Sequence, residues 1–383
     1  MTSQDHKQAV PPLKKPLLPA CFLRWTEPPD ATGDETLRIA SWRRNITLQG
    51  KSFATFEEQV MPLLDGTRSV DAICEEVRHI FDRSALLASF ATLAEQGILV
   101  EGEGRAATAA ATHRKPQQGW LSEAAPEGQG AQARLQSTHV VLFGAGMHGA
   151  VVARALVAAG IGRLTIVDPS DVKATDPYFA GVFVAADIGK NRAACLVSTL
   201  QQHADATDLA YETTRPADPN DIMALISDAT LVLCCLESGE QALALSLSVA
   251  CKAVGLPWMA ASLEGSELLV GPGFFAHDTG PCYMCWRMRE VAAAPNQGTR
   301  LALETHLGSV QADLSARREN LAMSADIVGG MLGAETLAWI TGASMPNLAG
   351  QFIQINVPGL RQEKHTVLRN PGCPVCASIG AKA

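Results

Sequence analysis

The sequence predicts an α/β protein: a Rossmann-like core with a metal-stapled tail, preceded by a small winged-helix α+β domain. Three observations carry that reading. An apolar run at residues 140–143 leads straight into the glycine loop Gly144-Ala-Gly146-Met-His-Gly149. Short strands, three helical stripes and a closing strand follow one another between Phe22 and Val100. Two Cys-x-x-C pairs, Cys282/Cys285 and Cys373/Cys376, stand near the end of the chain. At 383 residues the chain exceeds a usual single domain.

Composition removes several function classes. Hydrophobic residues make up 47% and charged residues 18%, with no apolar run long and clean enough to span a bilayer. Residues 1–19 carry scattered charges and prolines and lack the apolar stretch of a secretory signal, so a cytoplasmic protein without membrane association is expected. Lys plus Arg number 31 against 39 Asp plus Glu, a net charge of −8 that disfavours a nucleic-acid partner.

The front domain is expected at residues 18–103. Ile46, Leu48 and Phe53 read as a strand pair turned by Gln49-Gly50. Phe56, Val60, Leu63 and Leu64 then recur at helical spacing and stop at Asp65-Gly66. Val70, Ile73, Cys74, Val77 and Ile80 form a second stripe; a third helix, capped by Ser84, carries Leu87, Phe90 and Leu93 and ends at Gly97. Residues 98–100 close the domain as a strand. This is winged-helix order, whose bland reading is DNA binding. Charge opposes that reading, since residues 21–100 hold 8 Arg and Lys against 12 Asp and Glu. The segments LLDGTRSVDAICEEV (63–77) and LAEQGILV (93–100) resemble the PqqD-like peptide-recognition domain. That resemblance implies a precursor leader held as an added strand on a sheet edge. Residues 104–137, rich in Ala, Gly, Gln, Glu and Pro, read as a flexible linker.

In the core, expected at residues 138–383, Val152, Leu156 and Val157 mark the buried face of a helix after the glycine loop. Gly144, Gly146 and Gly149 permit a tight turn and close approach of a phosphate to the helix N-terminus. A second strand, residues 164–167, ends at Asp168, placed to meet a ribose hydroxyl. NAD, flavin, ATP or a retained fold alone would all produce this fingerprint. GAGMHGAVVARALVAAGIGRLTIVDPSDV (144–172), AADIGKNRA (185–193), ATLVLCCLES (229–238) and GGMLGAETLAWITG (329–342) together resemble the ThiF/MoeB/HesA superfamily, relatives of ubiquitin-activating enzymes. The family's Ser-Asn-Leu-x-Arg-Gln segment is replaced by Thr175-Asp-Pro-Tyr-Phe-Ala-Gly181, without its arginine. The family lysine falls on Arg192 and its magnesium-associated aspartate on Glu237, and Asp176 adds negative charge where ATP's own would lie. These departures argue against a working ATP site.

Two Cys-x-x-C pairs suit one tetrahedral ion, and four thiolates would fill a zinc shell, making the metal structural. A redox reading is weaker, because neither pair opens a helix in a thioredoxin-like setting. The remaining cysteines, Cys21, Cys74, Cys195, Cys234, Cys235 and Cys251, read as core filler. TGPCYMCWRMRE (279–290) and HTVLRNPGCPVC (365–376) resemble the azole-forming cyclodehydratase branch of the ThiF group. That branch implies a non-catalytic, leader-binding subunit beside a separate YcaO protein that uses ATP to form thiazoline or oxazoline rings in a ribosomal peptide, as in bacteriocin biosynthesis. It also implies a homodimer through the ThiF-like domain. The alternative is an ATP-dependent peptide-adenylating enzyme; an NAD-dependent oxidoreductase shares only the glycine loop and Asp168. His148 lies in the glycine loop, where its bulk would narrow the phosphate path. His203, His277 and His365 receive no role.

Overall fold

A computed structural model of the chain describes residues 12–19, 21–102, 114–125, 130–178, 181–204, 206–235, 237, 240–265, 267–276, 278–309 and 320–377. They form two compact units, residues 1–129 and 130–383.

The first unit opens with β1 (Pro16–Leu17) and continues into β2 (Leu23–Glu27), β3 (Glu35–Ala40) and β4 (Asn45–Gly50). Then come α1 (Phe53–Gln59), α2 (Val70–Glu76), α3 (Arg83–Glu95) and β5 (Val100–Glu101). Strands β2, β3 and β4 make an antiparallel meander in that order, while β1 pairs antiparallel with β5. Alternation along β3 turns Leu37 and Ile39 inward, onto Phe56, Val60, Ile73, Leu86, Phe90 and Ile98. Each such fully buried side chain contributes about 1.5–3 kcal/mol.

Several local expectations shift. The hairpin turn lies at residues 41–44, where Ser41 N–H donates to Arg44 O and Ser41 Oγ accepts from the N–H of Arg43 and Arg44. Gln49-Gly50 instead ends β4. The third helix is capped by Asp82, whose carboxylate accepts from Ser84 N, and its inward residue is Leu86 while Leu87 is exposed. Ile80 lies beyond α2 and is exposed. The closing strand begins at Val100, with Ile98 and Leu99 buried just before it.

The stretch read as a linker contains two helices. Helix α4 (Lys115–Ala124) belongs to the first unit: Trp120 stacks on Trp42 with ring centroids 6.4 Å apart, and Ser41 Oγ donates to Glu123 Oε1 at 2.6 Å. Helix α5 (Gly130–Gln136) belongs to the second, where Gln132 Nε2 donates to Ala159 O. Their anchors are a few side chains amid Ala, Gln and Gly, too sparse to give a periodic signal. The second unit therefore starts at residue 130 rather than 138.

Its strands are β6 (His139–Phe143), β7 (Arg163–Val167), β8 (Asp208–Glu212), β9 (Leu231–Cys234), β10 (Trp258–Glu264), β11 (Glu267–Phe274), β12 (Gln351–Asn356) and β13 (Arg361–Thr366). They form one sheet in the order β13-β12-β11-β10-β9-β6-β7-β8. From β10 to β8 neighbours are parallel; from β10 to β13 they are antiparallel. The chain runs outward from β6 to β8 and returns on the other side of β6 as β9. Beyond the carboxyl ends of β6 and β9 lies the crevice where such sheets hold ligands.

Helices α6 (Met147–Ala159) and α12 (Ala322–Thr341) pack together, and α12 also covers β10 and β11. A Cβ at Gly329 would come within 2.6 Å of Val151 Cβ, so glycine allows the two helices to touch. Elsewhere α8 (Pro219–Leu225) and α9 (Gln241–Val254) bury Ile222, Leu247 and Cys251 against Val141, Val232 and Trp258. Helix α7 (Arg192–Gln201) precedes them in the chain; α10 (Tyr283–Ala293) and α11 (Gln297–Ser309) follow. No helix among the described residues is long and apolar enough to cross a membrane.

Candidate functional site

Every element at the crevice is placed by the sheet. Gly144, with φ 94°, turns the chain out of β6, and α6 begins after Gly146 with no side-chain cap. The free N–H groups and the helix dipole at that end favour an anion. Across the crevice, β9 pairs with β6 in parallel, Cys234 beside Phe143, and carries the chain to Glu237. A Cβ at Gly146 would meet Glu237 Oε1 at 2.5 Å and Arg192 Nη1 at 3.2 Å. The Glu237 carboxylate and the Arg192 guanidinium thus pack directly against Gly146 of the glycine loop.

Arg192 holds that carboxylate there. Its Nη1 donates to Glu237 Oε1 at 3.0 Å, while Nε and Nη2 clasp both oxygens of Asp176 at 2.7 and 2.9 Å. Arg192 and Asp176 are 2% and 3% exposed, so this is a buried two-pronged ion pair. Burial pulls the guanidinium down, and the carboxylates of Glu237, Asp176 and Asp168 more than offset it, holding the charge. Asp176, expected as an uncompensated negative charge, is neutralised.

Asp168 is tied into the glycine loop. Its Oδ2 accepts from Ala145 N and its Oδ1 from Ser170 N, both at 2.8 Å, and the residue is 5% exposed. It pins the glycine loop. Burial pushes its carboxyl above the ordinary value, with Arg192 and the two N–H bonds pulling the other way. Asn191 caps α7 by accepting from Ala194 N and donates to Asp168 O, tying this turn together.

Glu240, which sequence reasoning passed over, completes the cluster. Its Oε2 accepts from Glu237 N at 3.1 Å, and Arg215 lies 3.5 Å from its Oε1. Burial first, then Asp168, raises its carboxyl to about 7. The only sequence signal was a second acid three residues after Glu237. A raised folded value favours the fold below the unfolded value near 4.5 and loses that benefit as pH climbs through about 7. Glu240→Gln should therefore be more stable than the parent at pH 8, by up to about 3 kcal/mol. The gap should close below pH 4.5, and urea titrations at the two pH values measure it.

His148 does not obstruct the loop. It lies in the first turn of α6, 2% exposed, with Nε2 3.1 Å from Ala261 O in β10. His203 and His365 enter no site, and His277 lies outside the described residues.

The four cysteines of the two Cys-x-x-C pairs come together. Contrary to the expectation that neither pair opens a helix, the first one does: Cys282 is the residue before α10 and Cys285 sits in its first turn. The sulfurs of Cys282 lie 3.8 Å from Cys285 and 3.6 Å from Cys373; Cys285 lies 3.3 Å from Cys376, and all four ligand atoms fall within 4.8 Å of one another. A tetrahedral ion with Zn–S near 2.3 Å needs sulfurs about 3.8 Å apart, so the set fits such an ion and leaves no open position. Burial pushes the Cys285 thiol up, but hydrogen bonds led by Asn370 N–H bring it down to about 7, easing loss of its proton to a metal. Arg369 reinforces the tail, donating to Asp278 O and Cys376 O. The helix so anchored walls a groove of about 520 Å³ lined by Met284, Met288, Leu245 and Leu301.

The ThiF family model matches residues 120–375. The chain belongs to the ThiF family. The sulfur carrier protein adenylyltransferase of Thermus thermophilus is 27% identical over 272 residues, covering 67% of this chain and 87% of that protein. Molybdopterin-synthase adenylyltransferase of Escherichia coli is 24% identical, covering 64% and 89%. Among solved structures, E. coli MccB with ATP superposes with a TM-score of 0.64 at 16% identity, covering 94% of this ThiF protein and 99% of MccB. PaaA gives 0.65 at 18%, covering 91% and 99%. At these identities the structural likeness establishes the fold.

Proposed function

We propose that this ThiF protein is a non-catalytic, peptide-holding subunit of a cyclodehydratase. Residues 18–103 would bind the leader of a ribosomal precursor, and residues 138–383 would dock a YcaO-type partner. One observation supports the reading: the Asp176–Arg192–Glu237 chain of ion pairs packs against Gly146 and would have to open to admit a nucleotide's phosphates to the glycine loop. An ATP molecule would have to displace Glu237 from Arg192 and bring four more negative charges beside Asp176 and Glu240.

Other features agree. Among the described residues the edge strands β2 and β4 of the meander pair with no further strand, which suits an added peptide strand. Zinc suits the four thiolates, and with its shell filled by sulfur it would fasten the tail to α10 rather than take part in chemistry. Dimerisation through the ThiF-like unit belongs to the same reading.

A second reading, an adenylating enzyme acting on a peptide, has its own support. Gly146, Asp168, Arg192 and Glu237 converge at the switch point, and solved MccB structures include one with ATP and one with N-formylated MccA. Reconstitution separates the two. The full chain, a YcaO protein and a precursor peptide from the same genome are combined with ATP, omitting each protein in turn. The subunit reading expects ring formation and ATP turnover to require the YcaO protein, with the ThiF protein lowering the peptide's KM at least tenfold. ATP-dependent pyrophosphate exchange by the ThiF protein alone would establish the second reading instead.

A further inference from the structure

The hairpin turn at residues 41–44 and helix α4 meet at one end of the meander. There Trp42 is 61% exposed, and Trp120, stacked on it, is 40% exposed. The guanidinium carbon of Arg43 lies 5.5 Å from the centre of the Trp42 ring, and Arg43 Nη1 donates to Glu123 O on α4. Arg44, the next residue, donates through Nη1 to Gln96 O and Gly97 O at the end of α3. Strand pairing sets Leu23 opposite Ala40 and Arg24 opposite Ile39, so two further exposed residues stand beside this turn.

Charge is divided along the meander. Glu27, Asp30, Asp34 and Glu35 lie at the other end, around the connection from β2 to β3. Arg38, between the two ends, is paired with Glu27. Arg24, Arg43 and Arg44 lie at the near end, and none of them has a carboxylate partner among the described residues. Backbone carbonyls orient Arg43 and Arg44 without cancelling their charge. Glu123 is the acid that packs against this turn; it is 9% exposed, and its Oε1 accepts from Ser41 Oγ.

Oriented guanidiniums beside an exposed aromatic pair select a ligand that is anionic and also carries an apolar side chain. Exposed Trp beside Arg is the composition of energetic centres in protein interfaces. A nucleic acid and an acidic polypeptide both offer such chemistry. A phosphate backbone needs a basic track several contacts long. Here the acids at the far end of the meander cut any track short, and the whole chain carries a net charge of −8. A short acidic segment of polypeptide fits better.

We propose that this end of the first unit docks an acidic, aromatic-bearing segment of the precursor peptide. Its carboxylates meet Arg43 and Arg44, and its aromatic side chain covers Trp42 and Trp120. The proposal rests on the reading of the chain as a peptide-holding protein. Strand β4 begins at Asn45, directly after the turn, and β2 begins at Leu23, so a peptide strand added to either edge runs off the sheet at this end. The acidic segment is the flank of that strand. It adds charge selection to a contact whose backbone hydrogen bonds read little sequence.

The test uses the full, metal-loaded chain and two probes, acetyl-EEFEE-amide and acetyl-KKFKK-amide, followed by tryptophan emission. The acidic probe should shift the emission saturably, and the basic probe should leave it unchanged. Raising salt from about 0.05 to about 0.5 M should weaken the acidic probe several-fold. Arg43→Glu should weaken it at least about tenfold. Arg43→Gln, which keeps a donor for Glu123 O, should weaken it less and keep the Tm of the unaltered protein. No response to the acidic probe, equal responses to both probes, or unchanged affinity in both Arg43 variants would overturn the proposal. Tighter binding of an oligothymidylate would overturn it in favour of a nucleic acid. Calorimetry with the precursor peptide from the same genome reports on the parent reading separately. Absence of binding to the unaltered protein counts against that reading, whereas equal binding to the unaltered protein and Arg43→Glu counts against the patch alone.

Discussion

Replacing Cys285 by Ala should cost at least about 4 kcal/mol and release the metal. Structural zinc bound by four thiolates contributes folding free energy outright, and losses of that size are otherwise rare for single substitutions. The four residues come from two segments about ninety positions apart, 282–285 and 373–376. The ion therefore closes a long loop and fixes the first turn of α10. Metal analysis should fall from one equivalent to near zero, the denaturant midpoint should drop, and limited proteolysis should begin within residues 368–377. Exhaustive chelation of the parent should reproduce all three changes. A purified parent that carries no metal, with a cysteine variant of unchanged midpoint, would remove the structural ion from the account.

Arg192→Met should destabilise the second unit by about 3–5 kcal/mol at pH 7, the usual consequence of stranding a buried charge. Asp176 would keep a carboxylate 4% exposed with its two-pronged partner gone, and Glu237 would lose its restraint. The double variant Arg192→Met/Asp176→Asn should recover part of the loss, because the most buried stranded charge is gone. Urea midpoints of the parent, both single variants and the double variant form the cycle that measures the coupling. Simple additivity would mean that the ion pair does not organise the crevice.

The sequence revealed most where one physical signal dominated. Continuous apolar runs at β6 and β9 and glycines at 144, 146 and 149 announced a buried parallel sheet with a loop at its switch point. Cysteine spacing announced a four-sulfur cluster that tertiary structure had to assemble. What escaped depended on contacts distant in sequence. Asp168 follows its strand as a ribose-binding acid would, yet its oxygens face Ala145 and Ser170, which only the folded loop discloses. Arg192, Asp176 and Glu237 were each legible as altered charges; their mutual neutralisation needed three loops to meet. Helices α4 and α5 hid within Ala- and Gln-rich sequence because tertiary anchors such as Trp120 on Trp42, rather than periodicity, hold them. The exposed Leu87 beside the buried Leu86 shows the one-residue error to which helical stripes are prone.

The central claim is that the chain's own ion pairs, packed against Gly146, close its glycine loop to a nucleotide's phosphates. Titration of the purified, metal-loaded chain with magnesium-ATP by calorimetry tests it without the peptide or the partner. The account predicts no saturable heat up to millimolar ATP for the parent, and weak binding gained by Glu237→Gln, which lightens the charge over Gly146. Saturable binding by the parent at cellular ATP concentrations would contradict it and make the adenylating enzyme the better description of this protein.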